Sequence, residues 1–155
     1  MVRISQRLYR EIIAHCQSRY PKEACGLLAG AAAPRAGQAG ARPGSCRAGD
    51  VVQVYPMTNV EDSPIGYAMD PKEQLQNERQ MRSRNQRLVG IYHSHTASPA
   101  YPSSVDVGLA ISPEVSYVLV SLQDRAHPAL KSFRIDGQQI TAEEAIIEDG
   151  PCGHT

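Results

Sequence analysis

The chain has 155 residues, the size of one domain on a prior of roughly 150 residues each, and a domain of this length hides about 70% of its unfolded surface without needing disulfide staples. Lys plus Arg and Asp plus Glu both number 16, so the formal net charge is zero and a polyanion such as nucleic acid is not the expected main partner. No apolar run approaches the ~20 residues of a membrane span, no secretory signal pattern opens the chain, and the lack of Trp beside a single Phe removes an aromatic platform for single strands. The expectation is a soluble, cytoplasmic α/β (α+β) domain over residues 1–150 with a short tail at 151–155.

From Ser5 to Tyr20, Leu8, Ile12 and Cys16 recur every four residues, with Ser5 as cap and Pro21 closing the end, which predicts a helix. The apolar run from Ala24 to Gly30 reads as a buried strand, and Glu23 stands where the chain enters it. Residues 30–49 are almost entirely Ala, Gly, Pro, Arg and Ser, a composition that buries little and predicts a flexible hairpin tip. Val51 to Tyr55 is the returning strand, followed by a loop through Pro64 and Gly66 to Met69. Asp70, Pro71 and Glu73 supply a cap, a first-turn proline and an acid for a second helix reaching about Arg87, and Leu88 to His95 is a strand by composition. A short helix from Ser103 to Ala110, strands at 116–122 and 131–136, a turn at Gly137 and a further strand at 140–147 complete a mixed sheet packed between helices.

Chemistry concentrates in the second half. Residues two apart on a strand project from one face, so His93 and His95 can share one metal ion. Imidazole suits zinc, and catalytic zinc sites use three protein ligands with an open fourth position; Asp106, just past a loop at a helix start, is the candidate third ligand. Each piece also has a bland reading, since two strand histidines can be a satisfied polar pair, and Ser103 with Asp106 can be a capping box and nothing more. Requiring H-x-H, seven residues and S-x-x-D together drops chance occurrence to the order of one in a thousand or less.

Glu23, His93-Ser94-His95, Ser103 and Asp106 together reproduce E…H-x-H-x7-S-x-x-D, and on these residues the chain resembles the JAMM, or MPN-plus, metalloprotease family over nearly its whole length. The resemblance implies a curved mixed sheet flanked by helices, the cytidine-deaminase-like MPN architecture. It implies Zn2+ as cofactor with His93, His95 and Asp106 as ligands, Glu23 as the acid/base that activates the attacking water, and Ser103 as the oxyanion donor. The residues Ile91 to Thr96 and Ala100 to Ser103 are most similar to the small bacterial members that act on ubiquitin-like sulfur-carrier proteins, the CysO-cysteine peptidase group. The implied activity is hydrolysis of the peptide or isopeptide bond after a carrier's C-terminal Gly-Gly, releasing cysteine or another extension. Removal of small ubiquitin-like modifiers from lysine, and a non-catalytic MPN scaffold, are the alternatives; homo-oligomers are compatible with either. The stretch from Tyr55 to Met69 is expected to border the cleft and to pair with an extended Gly-Gly tail by strand addition.

Among residues outside the motif, His15, His127 and His154 carry no assignment, and Cys16, Cys25, Cys46 and Cys152 read as free thiols because a reducing compartment disfavours pairing. Cys25 lies too deep in an apolar run to act as a nucleophile. The arginines from Arg79 to Arg87 read as a solvated helix face.

Overall fold

The computed structural model describes residues 1–32, 46–47 and 49–149. In chain order the elements are β1 (Val2–Ser5), α1 (Gln6–Arg19), β2 (Cys25–Ala31), β3 (Val51–Met57), α2 (Pro71–Ser83), β4 (Gln86–His95), α3 (Ser104–Leu109), β5 (Ser116–Ser121), β6 (Ala129–Asp136), β7 (Gln139–Glu143) and β8 (Ala145–Glu148). Six strands form one mixed sheet in the order β3-β2-β4-β5-β6-β7, with β4 and β5 parallel and the other neighbours antiparallel. β1 and β8 make a separate parallel pair.

Alternation along the strands sorts the core into two layers. Leu28, Tyr92, Val118 and Val120 pack against Leu8, Ile12 and Cys16 of α1. On the opposite face Leu27, Ile91 and Tyr117 meet Met81 of α2 and Val107 of α3. Ser5 caps α1 by accepting a hydrogen bond from the Leu8 amide at 3.3 Å, and burying Leu8 and Ile12 stabilises by about 1.5–3 kcal/mol each. His93 and His95 share the odd register of Ile91 and therefore face the α2 and α3 layer. The expected α/β sandwich of a mixed sheet between helices is the observed one.

Three boundaries differ from the sequence reading, each for a physical reason. The second helix stops at Ser83 because Asn85 takes a left-handed φ of 55°, which turns the chain into β4. The strand expected at 140–147 is two strands: the carboxylate of Glu143 is anchored by Ser132 and Arg134 at the end of β7, and the chain then crosses to pair with β1. β1 itself has no signal in composition, being four residues long ahead of a stronger helical pattern. Gly30 and Ala31 belong to β2, so the strand extends into the stretch expected to be a hairpin tip, most of which, like the tail at 151–155, lies outside the described residues. Cys16 and Cys25 are free and buried, whereas Cys46 is disulfide-bonded, against the expectation of a free thiol; that expectation rested on sequence spacing and compartment redox, and neither determines which sulfurs meet in the fold.

Gly26 lies opposite Tyr92 across the β2–β4 pair, and a Cβ there would come within 2.2 Å of the tyrosine ring. Gly26→Ala is therefore expected to destabilise the fold by about 1–3 kcal/mol through overpacking, read from urea unfolding midpoints; an unchanged midpoint contradicts the contact. Glu143 yields a pH prediction. Burial of its side chain, 7% exposed, raises its pKa, but hydrogen bonds from Ser116, Ser132 and Arg134 and from the N-terminal amine outweigh that and hold it at about 2 rather than 4.5. A depressed carboxyl contributes stability above its unfolded pKa and loses it as pH falls through the folded one. Glu143→Gln should cost on the order of 1–3 kcal/mol at pH 7, and the gap from wild type should close between about pH 4.5 and pH 2.

Candidate metal centre and active site

The site forms where β2 and β4 end together. Cys25 pairs with His93, and one step on, the Ala24 amide donates to Ser94 Oγ at 2.8 Å while the Ser94 amide donates to the Ala24 carbonyl at 3.0 Å. This seam carries Glu23 to the strand end beside His95. The chain leaves β4, turns through Pro99, and enters α3 through a capping box. There Ser103 Oγ accepts from the Asp106 amide at 3.1 Å and the Asp106 carboxylate accepts from the Ser103 amide at 2.8 Å. The cap is the device that aims the acid: with Oδ2 held by Ser103, Asp106 sets Oδ1 3.1 Å from His93 Nε2 and Oδ2 3.0 Å from His95 Nε2.

The two Nε2 atoms lie 3.2 Å apart, and the ligand atoms of His93, His95 and Asp106 all fall within 4.8 Å of one another. His95 Nδ1 is 2.9 Å from the Pro99 carbonyl, which can only accept, so this nitrogen carries the proton. Nε2 is then the atom that faces the carboxylate and the other imidazole, donating to Asp106 when the ring is protonated and offering its lone pair when a cation takes the proton's place. Three lone-pair donors converging on one point fit a cation, and a ring nitrogen tied to a backbone carbonyl is the usual support of a metal-ligating histidine. Two imidazoles and one carboxylate suit zinc-like ions.

Burial separates the ionisable groups. It lowers the pKa of His93, whose neutral form is the ligating one. At His95 burial also lowers the pKa, but hydrogen bonds to Asp106 and Pro99 and the negative charges of Asp106 and Glu23 raise it above the ordinary value. Burial likewise works against Asp106 ionisation, yet hydrogen bonds from both histidines hold that carboxyl well below the usual range. Glu23, 6% exposed, moves the other way: burial pushes it up to about 7, with His95 opposing and the Asp106 and Glu61 charges adding. Ser103 is exposed, and among the described residues its hydroxyl accepts from Asp106 while its own proton is not committed to any acceptor.

All five motif residues thus meet in one place. Cys25, two residues from Glu23, is buried with its thiol pushed up to about 12, mainly by burial, which excludes thiolate chemistry at neutral pH. His15 serves the fold, its Nδ1 lying 2.7 Å from the Tyr92 hydroxyl; His127 pairs with Asp124 on the surface; His154 lies outside the described residues. The stretch from Tyr55 to Met69 borders the site as expected, but sequence reasoning gave no role to two of its residues: Tyr67, whose ring stacks on His93 with centroids 4.5 Å apart, and Asn59, which donates to the Glu23 carbonyl at 3.0 Å. Neither stands in a periodic or capping pattern that would reveal it.

Residues 5–136 match the family described as prokaryotic homologs of the JAB domain. The chain belongs to the JAB/MPN family. It is 41% identical over 140 residues to the CysO-cysteine peptidase of Mycobacterium tuberculosis, covering 90% of this chain and 86% of that protein. It is 31% identical over 106 residues to the desampylase of Haloferax volcanii, covering 68% and 66% respectively. The solution structure of a Desulfitobacterium hafniense protein superposes with a TM-score of 0.79 at 35% identity, over 96% of this chain and 94% of the other. Membership in this family, with relatives that are peptidases by name, makes the protein a hydrolase. No helix among the described residues is long and apolar enough to cross a membrane.

The ligand set has a direct test. Wild type should bind one Zn2+ or Co2+ per chain by calorimetry. His95→Ala and Asp106→Ala should each weaken binding by on the order of 10²-fold or more, given that loss of outer-shell partners alone costs about 10- to 100-fold. Equal affinity in all three proteins removes the assignment.

Proposed function

We propose that the protein is a zinc metallopeptidase that hydrolyses the bond after the C-terminal Gly-Gly of a ubiquitin-like sulfur-carrier protein, releasing cysteine or another C-terminal extension, in the cytoplasm. The observation that carries this reading is the convergence of His93, His95 and Asp106 on one point beside the buried Glu23. The peptidase relative at 41% identity supports the substrate class. Residues 1–150 form the catalytic domain in this reading.

His93, His95 and Asp106 would hold the zinc. When bound, zinc lowers the pKa of water towards ~7 and polarises carbonyls as a Lewis acid. Glu23 takes the proton from the attacking water and delivers it to the amine nitrogen as the carbon–nitrogen bond breaks, so the products are the carrier's free Gly-Gly carboxylate and the released amine. A carboxyl near neutrality suits both halves of that transfer. The free proton of the Ser103 hydroxyl donates to the oxyanion that develops on the carbonyl oxygen. β3 is an edge strand of the sheet, and its unpaired side can accept an extended Gly-Gly tail through main-chain hydrogen bonds, where glycine needs no side-chain pocket. A second reading, cleavage of ubiquitin-like modifiers from lysine, uses the same site and is favoured by the desampylase relative. A non-catalytic scaffold has less support, since the chain retains Glu23, His93, His95, Ser103 and Asp106, and His95 and Asp106 lie with His93 in one cluster of possible ligands.

The deciding experiment is intact-mass analysis of a ubiquitin-like carrier ending in Gly-Gly-Cys after incubation with the zinc-loaded protein. Wild type should remove the mass of one cysteine, Glu23→Gln should remove none while keeping its zinc, and Ser103→Ala should be slower by about 10²- to 10³-fold. Cleavage by Glu23→Gln at the wild-type rate contradicts the proton-transfer role, and cleavage only of lysine-linked conjugates selects the second reading.

A further inference from the structure

Glu23 precedes β2, so its backbone lies beyond the strand's ladder. Its polar groups are instead taken by the loop from Asn59 to Met69. The Glu23 amide donates to the Ser63 carbonyl at 2.8 Å, and the Glu23 carbonyl accepts from Asn59 Nδ2 at 3.0 Å. The same Nδ2 donates to the Gly66 carbonyl at 3.0 Å, while Asn59 Oδ1 accepts from the amides of Glu61 at 3.1 Å and Ala68 at 3.0 Å. Asn59 is 4% exposed, and both donors and both acceptor positions of its amide are used. Asp lacks the donors, a hydroxyl has one donor and shorter reach, and Gln carries the same groups one methylene further from the backbone, out of register with these four partners.

The loop so fastened reaches the rest of the site at two more points. Tyr67 stacks on His93 with an interplanar angle of 29°, and Thr96 Oγ1 donates to the Pro64 carbonyl at 2.9 Å, tying the loop to the residue after His95. One side chain therefore couples the backbone of the acid to the segment that braces a histidine ring.

We propose that Asn59 is a positioning residue for catalysis: its amide fixes the Glu23 backbone to the 59–69 loop and so sets the carboxylate of Glu23 against the site built on His93, His95 and Asp106. This rests on the reading of Glu23 as the proton-transfer group. A displacement of about 1 Å in a reacting group can cost on the order of 10²-fold in rate, whereas the ligand residues are carried by the β4 strand and the α3 cap, which the loop touches only through the Tyr67 ring on His93 and Thr96 on Pro64.

The test compares wild type with the near-isosteric Asn59→Asp and with Asn59→Ala, all zinc-loaded, on the Gly-Gly-Cys carrier, together with amide hydrogen exchange. The expected result is a kcat lower by about 10²-fold, a KM within about twofold, undiminished zinc stoichiometry, and loss of protection at the Glu23 and Ala68 amides while Leu28 and Val118 in the sheet keep theirs. Wild-type kcat per zinc-loaded molecule in both variants overturns the proposal. So does protection lost evenly across the sheet, which marks Asn59 as a general stability residue. If one variant fails to fold, the other gives the same readouts. Failure of wild type to cleave the carrier overturns the functional reading instead, and the exchange pattern then decides by itself whether Asn59 holds Glu23 in place.

Discussion

At the end of the β2–β4 seam, Ala24 and Ser94 exchange two hydrogen bonds, one through the serine side chain and one through its backbone. This pairing comes between Glu23 and the two histidines and fixes their relation, because a one-residue slip in an antiparallel register would turn His93 and His95 to the α1 face. The seam is closed by complementary volumes: Gly26 leaves the space that the Tyr92 ring fills, and the ring's hydroxyl reaches His15 of α1. Any side chain at position 26 would have to displace the Tyr92 ring, at a point three residues from the acid.

The same burial that builds the core also divides the labour among the site's ionisable groups. Glu23 and Asp106 are carboxyls in one pocket, yet their environments drive them apart, Glu23 upward by loss of water and Asp106 downward by donors from two imidazoles. Pairs of titratable groups separated in this way are the usual basis for assigning distinct chemical roles. The carboxyl that stays ionised accepts from the histidines, and the one whose pKa rises stands just before β2 and meets His95 through charge alone. The position of each acid relative to the sheet end does most of this, with the charge of Glu61 adding to the rise of Glu23.

What was legible in the sequence was whatever depends on local spacing. His93 and His95 share a face because strands repeat every two residues, and Ser103 and Asp106 meet because a capping box spans three; the seven residues between the pairs are the length of the turn. The motif was therefore readable, and so were α1 and the cap of α2. The stretch holding Asn59 and Tyr67 was placed beside the cleft, but what each does was not legible, because it comes from contacts with Glu23 and His93, 36 and 26 positions away, and an isolated Asn or Tyr in a loop carries no pattern. β1, and the separation of β8 from β7, escaped for a similar reason: a parallel pair joining the two ends of the domain leaves no hairpin signal between its partners. The helix end at Ser83 turned on the left-handed conformation of Asn85, one of several polar residues in that stretch able to adopt it.

The parallel pairing of β4 with β5 has a consequence for how this fold can vary. A parallel neighbour obliges the chain to travel from the carboxyl end of one strand back to the amino end of the next, so the segment leaving His95 must pass over the strand end before descending. Three of the grouped donors consequently come from a single stretch of fourteen residues, His93 to Asp106, whose length is set by the crossing itself. The β2–β3 connection departs from the opposite end of the sheet, roughly 20 Å away at about 3.3 Å per residue. Insertions and deletions there leave the donor geometry untouched, whereas a single residue gained or lost between His95 and Asp106 would shift the acid around the helix start. A change of chain length thus reaches the donors from one pole of the sheet and not from the other.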